Sequence, residues 1–334
     1  MIAVASGTPV SITGLGCHVP ARVVTNDDLA KLVDTSDEWI RTRTGIRERR
    51  YASDDEALSD IALPAAELAL ERAGVTGADI DLLIVATVTA DMLFPSTAAI
   101  LADRLGAADA AAYDLSAGCT GFMYGITQAA GMLASGLNRR ALVIGADVLS
   151  KVMNFADRST CVLFGDGAGA VVLEPVAEQG FIGFELGADG AGGVDLQMPA
   201  GGSRMPATAE TVANDLHYVQ MNGRHVFKFG TRVLVSSAEA LLEKTGVAIE
   251  DVDVYVPHQA NVRIIDHAVA RLGIPEERVV MNVDRYGNTS SASIPLALAD
   301  AVDDGRVKQG SMVLMTGMGA GLTWGSALMR WTEA

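Results

Sequence analysis

The sequence has few cysteines, few basic side chains and no long apolar run, and each shortage excludes a class of protein. Its 3 cysteines, Cys17, Cys119 and Cys161, are too few and too scattered for a disulfide framework or a zinc site. Its 25 Lys and Arg against 41 Asp and Glu give a net charge of −16. Because cationic side chains drive binding to nucleic acids and anionic membranes, we expect neither partner.

The apolar segments and the start of the chain predict a cytoplasmic setting. No apolar run reaches the roughly 18 residues that span a membrane. Residues 1–13 lack the basic start of a secretory leader. A hydrophobic content of 49% with 20% charged residues predicts a sizeable core. The 334 residues could fold as one large domain or as two of ordinary size.

Two halves of the chain follow the same plan. Segments of the first half have counterparts in the same order in the second, which indicates an internal repeat. The matched segments are 67–75 with 239–247, Asp114 with Asp284, 141–145 with 312–316, and 165–169 with 317–321. We therefore predict two duplicated α/β halves, residues 1–176 and 177–334. Residues 187–222, rich in Gly, Pro, Ala and Ser, predict either a flap near a site or a disordered linker.

A cysteine lies at the centre of the most informative stretch, residues 114–122. The apolar run 110–113 predicts a buried strand before it, and residues 123–132 predict a helix after it. A thiol at such an elbow meets the positive end of the helix dipole and free backbone N–H groups, which both favour the thiolate. Cys119 is therefore a candidate nucleophile, and a buried, inert cysteine is the alternative.

Two polar residues of the second half are predicted at strand ends comparable with that of the cysteine. His258 follows a predicted strand, and Asn288 lies in 286–291, the second-half counterpart of the elbow. Ligands gather at such strand ends in α/β folds. The glycine-rich loop 317–321 offers backbone N–H groups that could stabilise an oxyanion. A structural histidine, a helix cap and a tight turn are the respective alternatives.

Five motifs give the sequence a resemblance to a known family. They are Asp-Glu-Trp-Ile-Arg-Thr-Arg-Thr-Gly-Ile at 37–46, Ser-Ala-Gly-Cys-Thr-Gly-Phe at 116–122, Phe-Gly-Asp-Gly-Ala-Gly-Ala at 164–170, Pro-His-Gln-Ala-Asn at 257–261 and Gly-Asn-Thr-Ser at 287–290. Over nearly its whole length the chain resembles the β-ketoacyl-acyl-carrier-protein synthase III family, condensing enzymes that start type II fatty acid synthesis. The resemblance implies a thiolase-like fold, two duplicated α/β halves in α-β-α-β-α layers, and a homodimer.

The resemblance also implies the chemistry, a Cys-His-Asn triad formed by Cys119, His258 and Asn288. In the family, the cysteine takes an acyl group from acyl-CoA, and malonyl-acyl carrier protein then loses CO₂ and attacks the acyl-thioester. Sulfur suits this role as nucleophile and leaving group. The implied oxyanion donors are the N–H groups of Cys119 and Ala320, the latter a glycine in many relatives. No bound cofactor or metal is implied, since the CoA thioester, expected to be a short primer such as acetyl-CoA, is itself a substrate.

Further site residues are implied in the same way. For the CoA moiety they are Trp39, Arg43, Arg158 and Asn261. For the acyl pocket they are Phe94, which in relatives reaches into the partner subunit, Leu149, Phe164 and Phe227. For docking of the acidic carrier protein they are Lys228, Arg263 and Arg271.

Other functions stay open from the sequence. A homologue that primes a polyketide or other secondary-metabolite pathway would carry the same motifs, as would an acyltransferase without condensation. The glycines of 165–169 suggest a dinucleotide-binding oxidoreductase. The apolar run 170–173 that follows predicts a strand, however, whereas a dinucleotide turn opens a helix. A catalytically silent binding protein would not need all of Cys119, His258 and Asn288.

Overall fold

The computed structural model describes residues 7–332, which form two main β-sheets with helices between and outside them. The strands are β1 (Val10–His18), β2 (Arg22–Thr25), β3 (Glu48–Tyr51), β4 (Leu82–Ala86), β5 (Ala111–Leu115), β6 (Ala141–Asp147), β7 (Gly167–Pro175), β8 (Gly180–Ala188), β9 (Leu196–Gln197), β10 (Gln220–Met221), β11 (Val254–Pro257), β12 (Met312–Gly319) and β13 (Thr323–Arg330). The helices are α1 (Asn26–Leu29), α2 (Asp37–Thr44), α3 (Leu58–Arg72), α4 (Thr97–Leu105), α5 (Gly121–Ala134), α6 (Arg158–Cys161), α7 (Ala209–Ala213), α8 (Gly223–Thr245), α9 (Val262–Leu272), α10 (Val283–Tyr286) and α11 (Ser293–Asp303). Within residues 7–332, none of the helices combines the length and the apolar character that a membrane span requires.

The two main sheets repeat one arrangement. The first has the order β1-β7-β6-β4-β5, and the second has the order β11-β12-β13-β8. In the first sheet, β4 runs parallel to β6 and β6 antiparallel to β7. In the second, β11 runs parallel to β12 and β12 antiparallel to β13. The repeat is therefore visible in the topology. The division at residues 176 and 177, which falls between β7 and β8, stays a prediction.

Side-chain burial arranges the sheets and helices in layers. Strand β4 is buried throughout, and its alternate residues point to opposite faces. Leu82 and Ile84 pack in one core with α5 and α11, while Leu83 and Val85 pack in another with α3 and α4. Helices α5 and α11 share their core with β11, β12 and β13, and α8 and α9 cover the outer face of the second sheet. The predicted fold class, α-β-α-β-α layers, is confirmed.

The two elbows occupy matching positions in this arrangement. The 3₁₀ turn Gly118–Thr120 precedes α5, and the 3₁₀ turn Ser290–Ala292 precedes α11. Ser291 therefore stands in the second half where Cys119 stands in the first. The counterpart predicted at 286–291 is confirmed.

Strand β5 is not buried, and that prediction is wrong. The strand lies at the edge of the first sheet and pairs with β4 alone. Ala111 is exposed and Tyr113 is half-buried. The apolar run 110–113 does not reveal this, because an edge position depends on the order of the strands in the sheet.

Two of the matched pairs are not equivalent in the fold. Residues 165–169 lead into β7, whereas 317–321 end β12 and turn towards β13. Asp114 lies on β5, whereas Asp284 lies in α10. In the described part of the second sheet, a single bridge beyond β11 stands where the first sheet has the strand β5. Both pairings are therefore wrong. The glycines of 165–169 do open a strand, as predicted, which removes the argument for a dinucleotide site.

The connection 187–222 is ordered as a flap. It contains the 3₁₀ helix Gly190–Asp195, the paired strands β9 and β10, and α7. Leu196 of β9 and Met221 of β10 line cavities at the candidate site. The prediction of a flap, rather than of a disordered linker, is confirmed.

Candidate active site

Cys119 lies where the turns of the two sheets touch. It sits in the 3₁₀ turn between β5 and α5, with 8% of its surface exposed. Gly118 has a φ of +56°, and a Cβ on it would lie 2.7 Å from the backbone nitrogen of Ala320. A Cβ on Gly319 would lie 2.5 Å from the backbone nitrogen of Cys119. A larger residue at either glycine would therefore push the two turns apart.

Burial dominates the electrostatics of the Cys119 thiol and raises its pKa to about 11. Hydrogen bonds from the Ser290 hydroxyl and from the backbone N–H groups of Cys119 and Ala320 act in the opposite direction. The carboxylate of Asp147 adds to the increase. The thiolate expected from the helix dipole is therefore not the resting form, because desolvation outweighs the partial charge at the helix end.

The resting thiol is expected to react slowly at neutral pH and faster as the pH rises. With a pKa of about 11, its thiolate fraction should increase about tenfold for each unit between about pH 7 and pH 10. The rate at which iodoacetamide alkylates Cys119, measured by peptide mass spectrometry, should rise with pH by the same factor. A plateau reached near pH 8 would contradict this expectation, since it would mean that the thiolate is already formed in the resting site.

His258 presents one ring nitrogen to the protein and the other to a cavity. It follows β11, is 1% exposed, and donates its backbone N–H to the carbonyl of Thr316 on β12 at 2.8 Å. Its Nδ1 lies 2.8 Å from the Ser293 hydroxyl, and its Nε2 has no hydrogen-bond partner within residues 7–332. Burial lowers its pKa to about 4, so the imidazole is neutral at pH 7. Nε2 is therefore free to meet a ligand.

Asn288 is held so that its amide nitrogen remains available. Its Oδ1 accepts the backbone N–H of Ser290 at 2.9 Å, in a turn where Ser290 has a φ of +51°. Its backbone forms a parallel bridge with Phe164. Because the side-chain oxygen is occupied, Nδ2 is the donor left for a ligand.

A mainly apolar cavity borders Cys119. It has a volume of about 140 Å³ and is lined by Leu149 and Phe164, two of the predicted acyl-pocket residues. Ser290 and Ala320 border it next to the thiol. This cavity could hold a short hydrocarbon chain attached to the sulfur.

A second cavity, of about 90 Å³, also borders Cys119. It is lined by His258 and Asn288, so the structure brings the three predicted triad residues together around one space. Phe164 lines both cavities, whereas Phe227, predicted for the acyl pocket, lines the second one only. The second cavity thus joins Cys119 to two side chains with an unoccupied nitrogen, Nε2 of His258 and Nδ2 of Asn288.

Trp39 lies on α2 within cation–π distance of two guanidinium groups. The guanidinium carbons of Arg43 and Arg158 lie 4.6 and 4.8 Å from the centre of its ring. Asn261, the N-cap of α9, donates from Nδ2 to the carbonyl of Arg43 at 3.0 Å and also lines the second cavity. Thr35, which precedes the helix cap, has a buried hydroxyl without a partner in the described part of the chain. This cluster is tied through Asn261 to the border of the second cavity.

Besides Trp39, Arg43 and Arg158, four of the predicted residues line neither cavity. Phe94 is 84% exposed, in the loop before α4. Lys228, Arg263 and Arg271 are exposed on α8 and α9. The guanidinium carbon of Arg263 lies 5.6 Å from the ring centre of Phe227, so Arg263 contacts the wall of the second cavity.

Sequence reasoning missed three polar residues beside the triad, namely Ser290, Ser293 and Asp147. Asp147 ends β6, is 0% exposed, and accepts hydrogen bonds from the hydroxyls of Thr87 and Thr89, both at 2.9 Å. Burial raises its pKa. In the sequence, Asp147 could have been recognised as a candidate because it is a carboxylate at the end of an apolar strand. The two serines gave none, because short polar residues are common in turns.

The layered fold, with a cysteine elbow between two related sheets, defines a thiolase-fold condensing enzyme. Residues 113–190 match the family model for 3-oxoacyl-(acyl-carrier-protein) synthase III, and residues 242–331 match the model for its C-terminal part. Beta-ketoacyl-(acyl-carrier-protein) synthase III of Symbiobacterium thermophilum is 59% identical over 324 residues, which cover 97% of this chain and 98% of that relative.

Solved structures agree with the sequence matches. The synthase III from Thermus thermophilus is 49% identical, with a TM-score of 0.90 over 97% of this chain and 100% of that one. The priming β-ketosynthase of the R1128 polyketide pathway is 38% identical, with a TM-score of 0.91 over 98% of this chain and 97% of that one. The chain belongs to the β-ketoacyl-(acyl-carrier-protein) synthase III family. It is an acyltransferase of the condensing type.

Proposed function

We propose that the chain transfers a short acyl group from acyl-CoA to Cys119 and then condenses it with malonyl-acyl carrier protein. The products are CoA, CO₂ and 3-oxoacyl-acyl carrier protein. The observation that carries this proposal is the junction at Cys119. Cys119 borders both an apolar cavity and a second cavity lined by His258 and Asn288, whose Nε2 and Nδ2 are unoccupied.

In the first half-reaction, the sulfur of Cys119 attacks the thioester carbonyl. The bond between that carbon and the CoA sulfur breaks, and the thiol proton leaves with CoA. The backbone N–H groups of Cys119 and Ala320 hydrogen-bond the resting sulfur. Each would stabilise the oxyanion of the tetrahedral intermediate by about 3 kcal/mol. Alanine at position 320 keeps this N–H, and its side chain borders the first cavity.

In the second half-reaction, the thioester oxygen of the malonyl group lies between His258 Nε2 and Asn288 Nδ2. Loss of CO₂ places negative charge on this oxygen, and two fixed donors stabilise the enolate. The enolate carbon attacks the acyl carbonyl, and the Cys119 thiolate leaves. The low pKa of His258, about 4, supports a neutral hydrogen-bond donor at this position.

We propose that Trp39, Arg43, Arg158 and Asn261 bind the CoA moiety, with the adenine stacked between Trp39 and Arg158. An adenine ring between them requires the Trp39 ring and the Arg158 guanidinium to lie about 7 Å apart, which is twice the thickness of an aromatic layer. Arg158 now lies 4.8 Å from the ring centre and donates to the carbonyl of Asp34 at 2.7 Å. CoA binding would therefore move the Arg158 side chain outward. The unpartnered Thr35 hydroxyl is a further candidate contact.

We propose that the protein works as a cytoplasmic homodimer in which Phe94 closes the acyl pocket of the partner subunit. Its side chain is 84% exposed, and an exposed phenyl ring does not stabilise a soluble monomer. Exposed Met92 and Leu93 precede it and extend the apolar surface. A cavity of about 140 Å³ narrowed by a phenyl ring suits a short primer such as acetyl-CoA.

We propose that Lys228, Arg263 and Arg271 dock the acidic carrier protein. All three are exposed, on a chain whose net charge is −16, so they form a local basic surface against an acidic background. The position of Arg263 beside Phe227 would bring a carrier-bound malonyl group to the second cavity.

Mass spectrometry of the intact protein with a panel of acyl-CoAs tests the proposed reaction. We expect mass gains equal to the acyl group, with short primers reacting fastest. Addition of malonyl-acyl carrier protein should then release CO₂ and give a product two carbons longer than the primer. Phe94→Ala should widen the primer range, and Leu32→Ala, which removes another exposed apolar side chain, should not. Acyl transfer to the carrier protein without CO₂ would instead identify an acyltransferase that does not condense.

Priming of a polyketide pathway is a second candidate, favoured by the 38% identity to a priming β-ketosynthase. The chemistry is the same and the carrier protein differs. Comparison of kcat/KM for malonyl groups carried on a fatty acid carrier protein and on a polyketide carrier protein separates the two roles.

A further inference from the structure

The Ser293 hydroxyl makes two contacts at the start of α11. Its oxygen accepts the backbone N–H of Gln259 at 2.7 Å and lies 2.8 Å from Nδ1 of His258. Ser293 is 0% exposed and His258 is 1% exposed. Bulk water therefore does not compete for either contact.

The hydrogen-bond inventory of these groups favours the one arrangement in which the buried hydroxyl hydrogen has a partner. A hydroxyl has a single hydrogen to donate, and the N–H of Gln259 cannot accept it. Among the described residues, His258 Nδ1 is the other atom that hydrogen-bonds Ser293 Oγ, so the hydrogen points to Nδ1. A ring nitrogen that accepts a hydrogen bond carries no proton, and a neutral ring then has its proton on Nε2.

We propose that Ser293 is a positioning residue that fixes His258 as the Nε2–H tautomer. The proton then lies on the nitrogen that faces the second cavity, together with Cys119 and Asn288. In this form His258 donates a hydrogen bond to an enolate oxygen and is not a base for the Cys119 thiol. The inference rests on the proposed condensation and adds which atom holds the proton.

The two half-reactions should depend on Ser293 to different extents. Decarboxylation needs a proton on Nε2, since the developing charge lies on the oxygen that this nitrogen contacts. Acylation of Cys119 uses the backbone donors of Cys119 and Ala320 and does not need it. A role that is only structural would affect both half-reactions alike.

Nitrogen NMR of the full-length protein labelled with ¹⁵N-histidine measures the tautomer directly. The signals of His258 are assigned by their loss in His258→Asn. At pH 7 we expect the wild-type ring to have a protonated Nε2 and an unprotonated Nδ1, and Ser293→Ala to have a mixture of both tautomers. A wild-type ring protonated on Nδ1 would overturn the proposal, whatever reaction the enzyme performs.

Rates of the two half-reactions provide the functional test. We expect Ser293→Ala to slow CO₂ release about 10- to 100-fold and to change acylation by no more than about twofold. Ser293→Thr keeps the hydroxyl and should recover most of the rate. Ser237→Ala is the matched control, because it removes another buried serine contact, to Ser326 at 2.6 Å, and should leave both rates unchanged.

Two kinetic outcomes would overturn the inference. One is an equal loss of both half-reactions in Ser293→Ala. The other is Ser293→Thr with the wild-type tautomer and the slow rate of Ser293→Ala. If the wild type is acylated and releases no CO₂, the proposed condensation fails, and the NMR result still decides the tautomer of His258.

Discussion

Replacement of Cys119 by alanine is expected to abolish acyl-enzyme formation and to lower condensation at least about 10⁴-fold. The acyl group needs a covalent attachment where the two cavities meet. Ser290 lines the first cavity too, but an unactivated hydroxyl is a far poorer nucleophile than sulfur. Alanine fills most of the volume of the buried thiol, so the fold should be retained.

The measurement is the intact mass after incubation with acetyl-CoA, with circular dichroism as the check on folding. Cys17→Ala is the matched control, since the Cys17 thiol donates to the carbonyl of Pro295 at 3.4 Å and lines neither cavity. That variant should gain the acetyl mass as the wild type does. A normal mass gain in Cys119→Ala would show that the nucleophile is another residue.

Replacement of His258 or Asn288 by alanine should spare acylation and suppress decarboxylation, by about 10²- to 10³-fold for each residue. Each side chain offers one unoccupied donor to the second cavity. Neither contributes a backbone N–H to the oxyanion position beside Cys119. The enolate therefore loses a donor in each variant, while the acyl transfer keeps its own.

Release of CO₂ from malonyl-acyl carrier protein by enzyme acetylated beforehand measures the second half-reaction separately. The rate of the mass gain with acetyl-CoA measures the first. His18→Ala is the histidine control, because His18 ends β1 and lines neither cavity. If His258→Ala slowed both half-reactions equally, the assignment of His258 to the enolate would be wrong.

The sequence was sufficient for features that depend on local pattern. The elbow at Cys119 and its counterpart at Ser291 were both predictable, because each combines small residues with an apolar helix pattern directly after them. The layered fold follows from the alternation of buried strands and amphipathic helices. His258 and Asn288 were predicted at comparable strand ends, and one cavity brings them to Cys119.

Features that depend on strand order or burial were not predictable. The edge position of β5 is decided by which strands pair, and the run 110–113 carries no information on that. The glycines of 165–169 and 317–321 mark close backbone contacts in both places, which is why they look alike without being equivalent. The raised pKa of Cys119 results from burial in the folded chain, where the turn after β12 packs closely against the cysteine turn. The contact of Ser293 with His258 joins residues 35 positions apart.

The two elbows, at Cys119 and Ser291, explain how two similar halves form a single active site. The second elbow carries Ser291 in place of a nucleophile, and its hydroxyl donates to the carbonyl of Gly118 at 3.1 Å. Its backbone N–H donates to the carboxylate of Asp147 at 3.2 Å. The second elbow thus holds the first in place through hydrogen bonds. The two elbows therefore differ in role, since one carries the proposed nucleophile and the other supports it.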